Sequence, residues 1–279
     1  MREVRRGRTR RRALGQHFLV DDAVAERIAD AVGATAHDLV CEVGAGTGAL
    51  TRPLAARAGR VVALEIDRTL HARLCTVSLQ WGALDVRLAD ARRFEYETLR
   101  AGRPSADGRV LVAGNLPYSA SKAILVRVWE ARATVDAVTV MLQREVAERL
   151  VATPGGKAYG VLSVLWQVWA DLSLLFVVPP AAFRPPPAVE SAVVRAVFRS
   201  TPRVPGGEAP ALARVVRVSF AQRRKTLANA LRAGYPQFGA EGVRAALRAA
   251  EIDPARRAET LGLEEFGRLA QFLATREGA

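Results

Sequence analysis

Leu39-Val40-Cys41-Glu42-Val43-Gly44-Ala45-Gly46-Thr47-Gly48 decides the architecture of this chain. The first five residues, apolar except for Glu42, read as a buried strand. The glycines that follow read as a tight turn, and Ala49-Leu50-Thr51-Arg52-Pro53-Leu54 opens a helix. A glycine turn between strand and helix lets a ligand touch main chain. Its spacing is Glu-x-Gly-x-Gly-x-Gly, not the dinucleotide Gly-x-Gly-x-x-Gly. Glu42, two residues ahead of Gly44, would repel a pyrophosphate but can hold an ammonium, directly or through water. Beside Gly44 and Gly46, that chemistry suits the amino-acid end of S-adenosylmethionine better than NAD.

Downstream the pattern repeats. Val61-Val62-Ala63-Leu64 is a second strand ending in Glu65-Ile66-Asp67. An acid there, roughly twenty residues past the glycines, is positioned to accept ribose hydroxyls. Asp67 fits a cap for the next helix, around 70–79, better than Glu65 does. Val86-Arg87-Leu88-Ala89 ends in Asp90-Ala91, where an acid can accept a cofactor's adenine amine. Three strands thus end in carboxylates, Glu42, Glu65 and Asp90, on one sheet edge. A fourth, Val110 to Ala113, leads through Gly114 into Asn115-Leu116-Pro117-Tyr118. Proline pins the backbone there and biases Leu116 to an extended shape. The Asn115 side-chain carbonyl and the Leu116 main-chain carbonyl can then face one point beside the Tyr118 ring. Two acceptors and a flat ring suit an exocyclic amine on a nucleobase. The same four residues also describe an ordinary strand-to-helix turn.

The alternation of strands and helices predicts an α/β fold with a parallel, doubly wound sheet. A helix over 120–130, a strand over 135–142 and a helix over 143–150 continue it. Residues 161–199 are expected to complete the sheet, with 191–198 as a closing strand, antiparallel in one reading. Residues 201–210 are rich in Pro and Gly and read as a linker. Helices are expected over 211–221, 222–231, 240–250 and 263–273. The domains are therefore a basic arm over 1–13, a sheet domain over 14–200 and a small all-helical domain over 211–279.

With 279 residues, half of them hydrophobic, the chain can bury a sizeable core. Its 41 basic residues against 28 acidic ones leave a net charge of +13, the balance of a nucleic-acid binder before that of a membrane-surface protein. Arginines are dense in the first segment, Arg10, Arg11 and Arg12 among them, and a basic cluster recurs at Arg223, Arg224 and Lys225. Both read as RNA-backbone contacts or as solvated charge, as does Lys157 in the Pro154–Gly160 loop. Two cysteines, Cys41 and Cys75, make neither a disulfide framework nor a zinc site, which points to a reducing cytoplasm and no metal. The apolar run from Val161 to Pro180 is broken by Gln167 and Asp171 and is no membrane span. His17, just ahead of a helix capped by Asp21 or Asp22, is open to two roles, a base or a positioning group.

Taken together, these stretches resemble the ribosomal RNA small-subunit dimethyladenosine transferases. Gly15-Gln16-His17-Phe18-Leu19, Glu42 to Gly48, Glu65-Ile66-Asp67 and Asn115 to Tyr118 carry the likeness in the first half. Gln143 to Arg149, Lys157 to Gly160, Pro179 to Ser191, Arg223 to Leu231 and Arg256 to Leu261 extend it over nearly the whole chain. The resemblance implies a Rossmann-like class I SAM-dependent methyltransferase sheet with a C-terminal helical RNA-binding domain. It also implies N6-dimethylation of two adjacent adenines in the 3′-terminal hairpin loop of small-subunit (16S) rRNA, within an immature 30S particle. By position, His17 and Leu19 resemble cofactor contacts, Gly44 the glycine against the methionine portion, and Glu65 the ribose ligand. Asp90, with Ala91 beside it, resembles the adenine ligand, and Asn115 stands between cofactor and target amine. The family usually carries Asn at 17, Pro at 45 and Asn at 119, where this chain has His17, Ala45 and Ser119.

That resemblance implies a mechanism of positioning. Asn115 and Leu116 hold the amine while Tyr118 stacks on the ring, and no dedicated base is required. A monomeric protein is the default expectation. Two rival readings stand beside it: a large-subunit (23S) rRNA adenine dimethyltransferase conferring macrolide resistance, and a ribosome assembly factor that mainly binds.

Overall fold

The computed structural model describes residues 17–206, 209–222 and 224–277. In chain order its strands are β1 (Phe18–Leu19), β2 (Leu39–Val43), β3 (Arg60–Glu65), β4 (Leu84–Leu88), β5 (Val110–Asn115), β6 (Ala137–Gln143), β7 (Ala170–Val178), β8 (Phe183–Arg184) and β9 (Ser191–Phe198). Its helices are α1 (Asp22–Val32), α2 (Thr51–Ala55), α3 (Arg68–Val77), α4 (Ser121–Glu130), α5 (Arg144–Val151), α6 (Val161–Trp169), α7 (Ala209–Phe220), α8 (Leu227–Gly234), α9 (Gly239–Ala249) and α10 (Leu263–Glu277).

Seven strands form one sheet in the order β4-β3-β2-β5-β6-β9-β7. The ladders from β4 through β6 are parallel, and β9 runs antiparallel to β6 with Gln143 opposite Ser191. Strand order reverses between β2 and β5, the place where doubly wound sheets open a crevice at their carboxyl ends. All five residues of β2 are buried, as a central parallel strand covered on both faces requires. The core beneath packs Ile28, Val40, Leu54, Leu111, Met141 and Val193 together.

Local chemistry sets the helix that leads into this core. Asp21 caps α1 by accepting from the Val24 N–H at 3.1 Å, and Gly33 ends it in the left-handed region at φ 65°. Ala25, Ile28, Ala29 and Val32 lie between on one buried face. At the opposite end of the sheet from the crevice, Asp38 is buried. It accepts from the Thr35 N–H and hydroxyl and from the Arg109 main chain and guanidinium.

By internal contacts the chain divides into two units. One ends at Ala147 and resumes over Ser173–Phe198; the other comprises Glu148–Leu172 and the chain from Arg199 onward. The second unit therefore takes in a segment that the sequence assigns to the sheet domain. Its residues 161–169, expected as sheet, are the helix α6, whose Val164, Leu165, Trp166 and Val168 are buried. With only Ser163 and Gln167 polar among nine residues, the run carries little period to separate helix from strand. Gly160 and Ser163 supply the start that the apolar pattern hides, the Gly160 N–H donating to the Ser163 hydroxyl at 3.0 Å. In the same unit Tyr159 meets Phe220 edge-on, with centroids 6.1 Å apart, and Phe220 stacks on Phe266 at 5.9 Å. Helix α8 begins at Leu227, so Arg224 and Lys225 sit in the turn before it rather than in its first turn. Among the described residues no helix is long and apolar enough to cross a membrane.

Candidate active site

A cavity of about 260 Å³ opens at the carboxyl edge of the sheet, over the reversal between β2 and β5. Gly114 makes the close approach of these strands possible. A Cβ there would lie 2.4 Å from the Val43 carbonyl oxygen. Two buried carboxylates face the cavity, Glu42 and Glu65. Glu65 is the brace of the glycine turn: one oxygen accepts from the Gly46 N–H and the other from the Asp67 N–H, each at 2.8 Å. Each oxygen keeps a second lone pair. Glu42 differs. Its Oε2 is buried with no hydrogen-bond partner among the described residues. Burial pushes its carboxyl up to about 7; the Thr51 hydroxyl opposes that rise and the Glu65 charge adds to it.

Across the cavity, Asn115 closes β5. Its side-chain NH2 donates to the His17 main-chain oxygen at 3.1 Å. The His17 ring is fixed in turn, Nδ1 lying 2.8 Å from the Pro185 oxygen, so that nitrogen carries the proton. Beside it stands Tyr118, with ring centroids 5.4 Å apart and planes tilted by 32°. The Tyr118 hydroxyl lies 2.7 Å from the hydroxyl of Ser191, and burial raises its pKa against the effect of that bond. The Leu116 side chain is buried, and its N–H donates to the Met141 oxygen at 3.1 Å.

Most of the residues singled out in the sequence converge here. His17, Leu19, Glu42, Gly44, Gly46, Glu65, Ala91, Asn115, Leu116, Pro117 and Tyr118 all line the cavity. Asp90 is not among the lining residues, although its neighbours Ala89, Ala91 and Arg92 are. Its carboxylate is gripped by Arg92, whose Nη2 approaches to 2.6 Å and whose own N–H donates at 2.9 Å. The Arg92 bond holds the Asp90 carboxyl below its ordinary pKa. Of the basic groups, Lys157, Arg224 and Lys225 are exposed in the second unit, and Arg10, Arg11, Arg12 and Arg223 lie outside the described residues. Among the lining residues with no role assigned from the sequence are Phe18, Ile66 and Arg92. Ile66 carries a usable signal, an apolar residue directly after a strand-ending acid. It is 46% exposed here.

Residues 7–275 match the ribosomal RNA adenine dimethylase family. A protein of Xanthomonas euvesicatoria pv. vesicatoria (strain 85-10) called Ribosomal RNA small subunit methyltransferase A is 42% identical over 260 residues, 93% of this chain and 95% of that one. Its namesake from Geobacter sulfurreducens is 41% identical over 278 residues, 96% and 97% of the two chains. Among solved structures, a dimethyladenosine transferase from Plasmodium falciparum superposes with a TM-score of 0.79 at 21% identity, covering 94% of this chain and 98% of that one. The 23S rRNA methyltransferase ErmE superposes at 0.67 with 27% identity, over 92% and 99%. Fold and site thus define a class I methyltransferase that uses S-adenosylmethionine. The chain belongs to the ribosomal RNA adenine dimethylase family.

The cavity fits that cofactor. A buried carboxylate oxygen without a partner needs a donor, and an amino-acid ammonium is one. The second carboxylate, Glu65, makes the cavity acidic, which suits a ligand bearing cationic nitrogen and sulfur. Among the described residues no group of three or more His, Cys, Asp or Glu is placed to hold a metal ion.

Proposed function

We propose that this protein dimethylates N6 of two adjacent adenines in the 3′-terminal hairpin loop of small-subunit rRNA, within an immature 30S particle. It acts as a cytoplasmic monomer, late in subunit maturation. S-adenosylmethionine supplies the methyl group on an electrophilic sulfonium carbon. Glu42 holds the amino group of that cofactor, Glu65 its ribose hydroxyls and Asp90 its adenine amine, with His17, Leu19, Gly44, Gly46 and Ala91 against it. Lys157, Arg224 and Lys225, with Arg10, Arg11, Arg12 and Arg223, contact RNA backbone.

The adenine N6 lone pair is delocalised into its ring and is a weak nucleophile. Asn115 Oδ1 and the Leu116 carbonyl accept the amine protons and turn the lone pair toward the cofactor. Tyr118 stacks on the base, which must leave its own stack to arrive. The positively charged nitrogen formed on transfer loses its proton readily to water, so no side chain is required as a base. One observation carries this reading: the Asn115 NH2 is committed to the His17 carbonyl, which leaves the amide oxygen as the acceptor.

Similarity over more than nine-tenths of the chain, at 41–42% identity, to proteins named for the small subunit favours that substrate over 23S rRNA. Offering the purified protein undermethylated small and large subunits, and mapping the modified adenines, tests substrate and extent together. Dimethyladenine confined to large subunits would overturn the proposal. Particle binding without methyl transfer would make the protein an assembly factor instead.

A further inference from the structure

Ser191 opens β9 opposite Gln143, at the carboxyl edge of the parallel strands, and is fully buried. Its Oγ holds the Tyr118 hydroxyl at 2.7 Å. The His17 ring also flanks Tyr118, and the Pro185 carbonyl fixes His17. The Tyr118 ring is thereby pinned at its far end by a residue 73 positions away, outside the cavity lining.

We propose that Ser191 is a positioning residue for the second of the two methyl transfers to each adenine. The proposal rests on reading Asn115 to Tyr118 as the target-amine site. An unmethylated N6 amine offers two N–H groups, one each to Asn115 Oδ1 and the Leu116 carbonyl. After the first transfer one N–H remains, and one of the two contacts is gone. In the second transfer the N6 lone pair forms the new carbon–nitrogen bond as the methyl–sulfur bond breaks. The electron pair of that bond leaves on sulfur, and the last amine proton passes to water. With one anchoring contact fewer, alignment of the base depends more on the plane against which it stacks. A misplacement of about 1 Å can cost about 10²-fold in rate, so a ring free to tilt penalises the singly anchored amine most. The Ser191–Tyr118 bond removes that freedom.

Ser191→Ala, Tyr118→Phe and the double variant test this under single-turnover conditions on undermethylated small subunits. Mass spectrometry of the digested RNA reads N6-monomethyl- and N6,N6-dimethyladenosine. Each single variant slows both transfers, the second about three- to tenfold more than the first, as expected for one lost hydrogen bond. Monomethyladenosine accumulates, and the double variant is no worse than the poorer single one. Tyr118→Phe removes the same bond from the cavity side, so the test survives a misfolded Ser191→Ala. An unchanged mono- to dimethyl ratio in a folded variant, or additive losses in the double one, overturns the role of Ser191. If the unaltered protein forms no dimethyladenosine, the reading of the target site fails with it, a result distinguishable because it needs no variant.

Discussion

The Asn115 side chain donates to the main-chain oxygen of His17 across 3.1 Å, joining residues 98 positions apart. The bond has a polarity that isosteric replacement exposes. Asn115→Ala removes the acceptor and lowers methyl transfer by about 10²-fold or more. Asn115→Asp keeps two acceptor oxygens but loses the NH2, so a carboxylate is set against a carbonyl and turns away. Its loss in single-turnover rate therefore matches that of Asn115→Ala. An Asn115→Asp variant near full activity would show that the His17 contact is dispensable.

Glu42 makes cofactor affinity depend on pH. Its carboxyl is pushed up to about 7 by burial, and the ionised form is the partner of an ammonium. Cofactor binding is expected to tighten as pH rises from about 6 to 8, the range around that value, which titration calorimetry checks. Glu42→Gln flattens this dependence and weakens binding. In the free protein the sign is opposite. The folded state holds a proton that the unfolded state releases above the ordinary value of 4.5, so this contribution is present below 4.5 and lost as pH rises through about 7. A shift of that size corresponds to on the order of 3 kcal/mol. Urea denaturation at pH 5 and 8 detects it as a slope that Glu42→Gln lacks.

The two strongest local signals were legible from residues alone. Strand β2 ends where the glycines begin, because a buried parallel strand is a continuous apolar run and a left-handed turn needs Gly44 at φ 74°. Strand β9 spans Ser191–Phe198, the stretch expected as the closing strand, and of the two directions left open it takes the antiparallel one. Helix α6 was hidden because seven of its nine residues are apolar, leaving Ser163 and Gln167 as its only polar marks. The grip of Arg92 on Asp90 shows a second limit. The acid was legible as a strand-ending carboxylate, but its partner is a matter of side-chain rotamer. Ser191 shows a third, since nothing near it in sequence points to Tyr118.

That grip sets a competition. Arg92 binds Asp90 through its side chain and its own N–H, and its side chain is 49% exposed. A carboxylate has about four acceptor sites, so an adenine amine at Asp90 shares it with the guanidinium or displaces it. An ion pair this exposed is largely screened by solvent, and its release costs little. Arg92→Ala therefore tightens cofactor binding about two- to fivefold, while Asp90→Ala weakens it about tenfold, the loss of one or two hydrogen bonds. Weaker binding by Arg92→Ala would instead make Arg92 a cofactor contact.

Far from the cavity, Asp38 and Arg109 fix the other end of β2 and β5 and should govern acid stability. Burial alone would raise the Asp38 carboxyl. The Arg109 guanidinium and main-chain N–H, with the Thr35 N–H and hydroxyl, outweigh it and hold the group well below the usual carboxylate range. A lowered folded value means stability present above the ordinary 3.8 and lost as pH falls below it. Arg109→Met strips the cation from a carboxylate whose side chain is 3% exposed, while Arg109 itself is 41% exposed and partly screened. The variant is destabilised by about 2 kcal/mol at pH 7, less than for a pair buried on both sides. Its deficit shrinks toward pH 4, because Asp38 without its partner takes up a proton earlier and no longer carries an unpaired charge. Denaturation curves at pH 7, 5 and 4 test both size and slope. A deficit independent of pH would assign the loss to packing of the arginine stem rather than to charge.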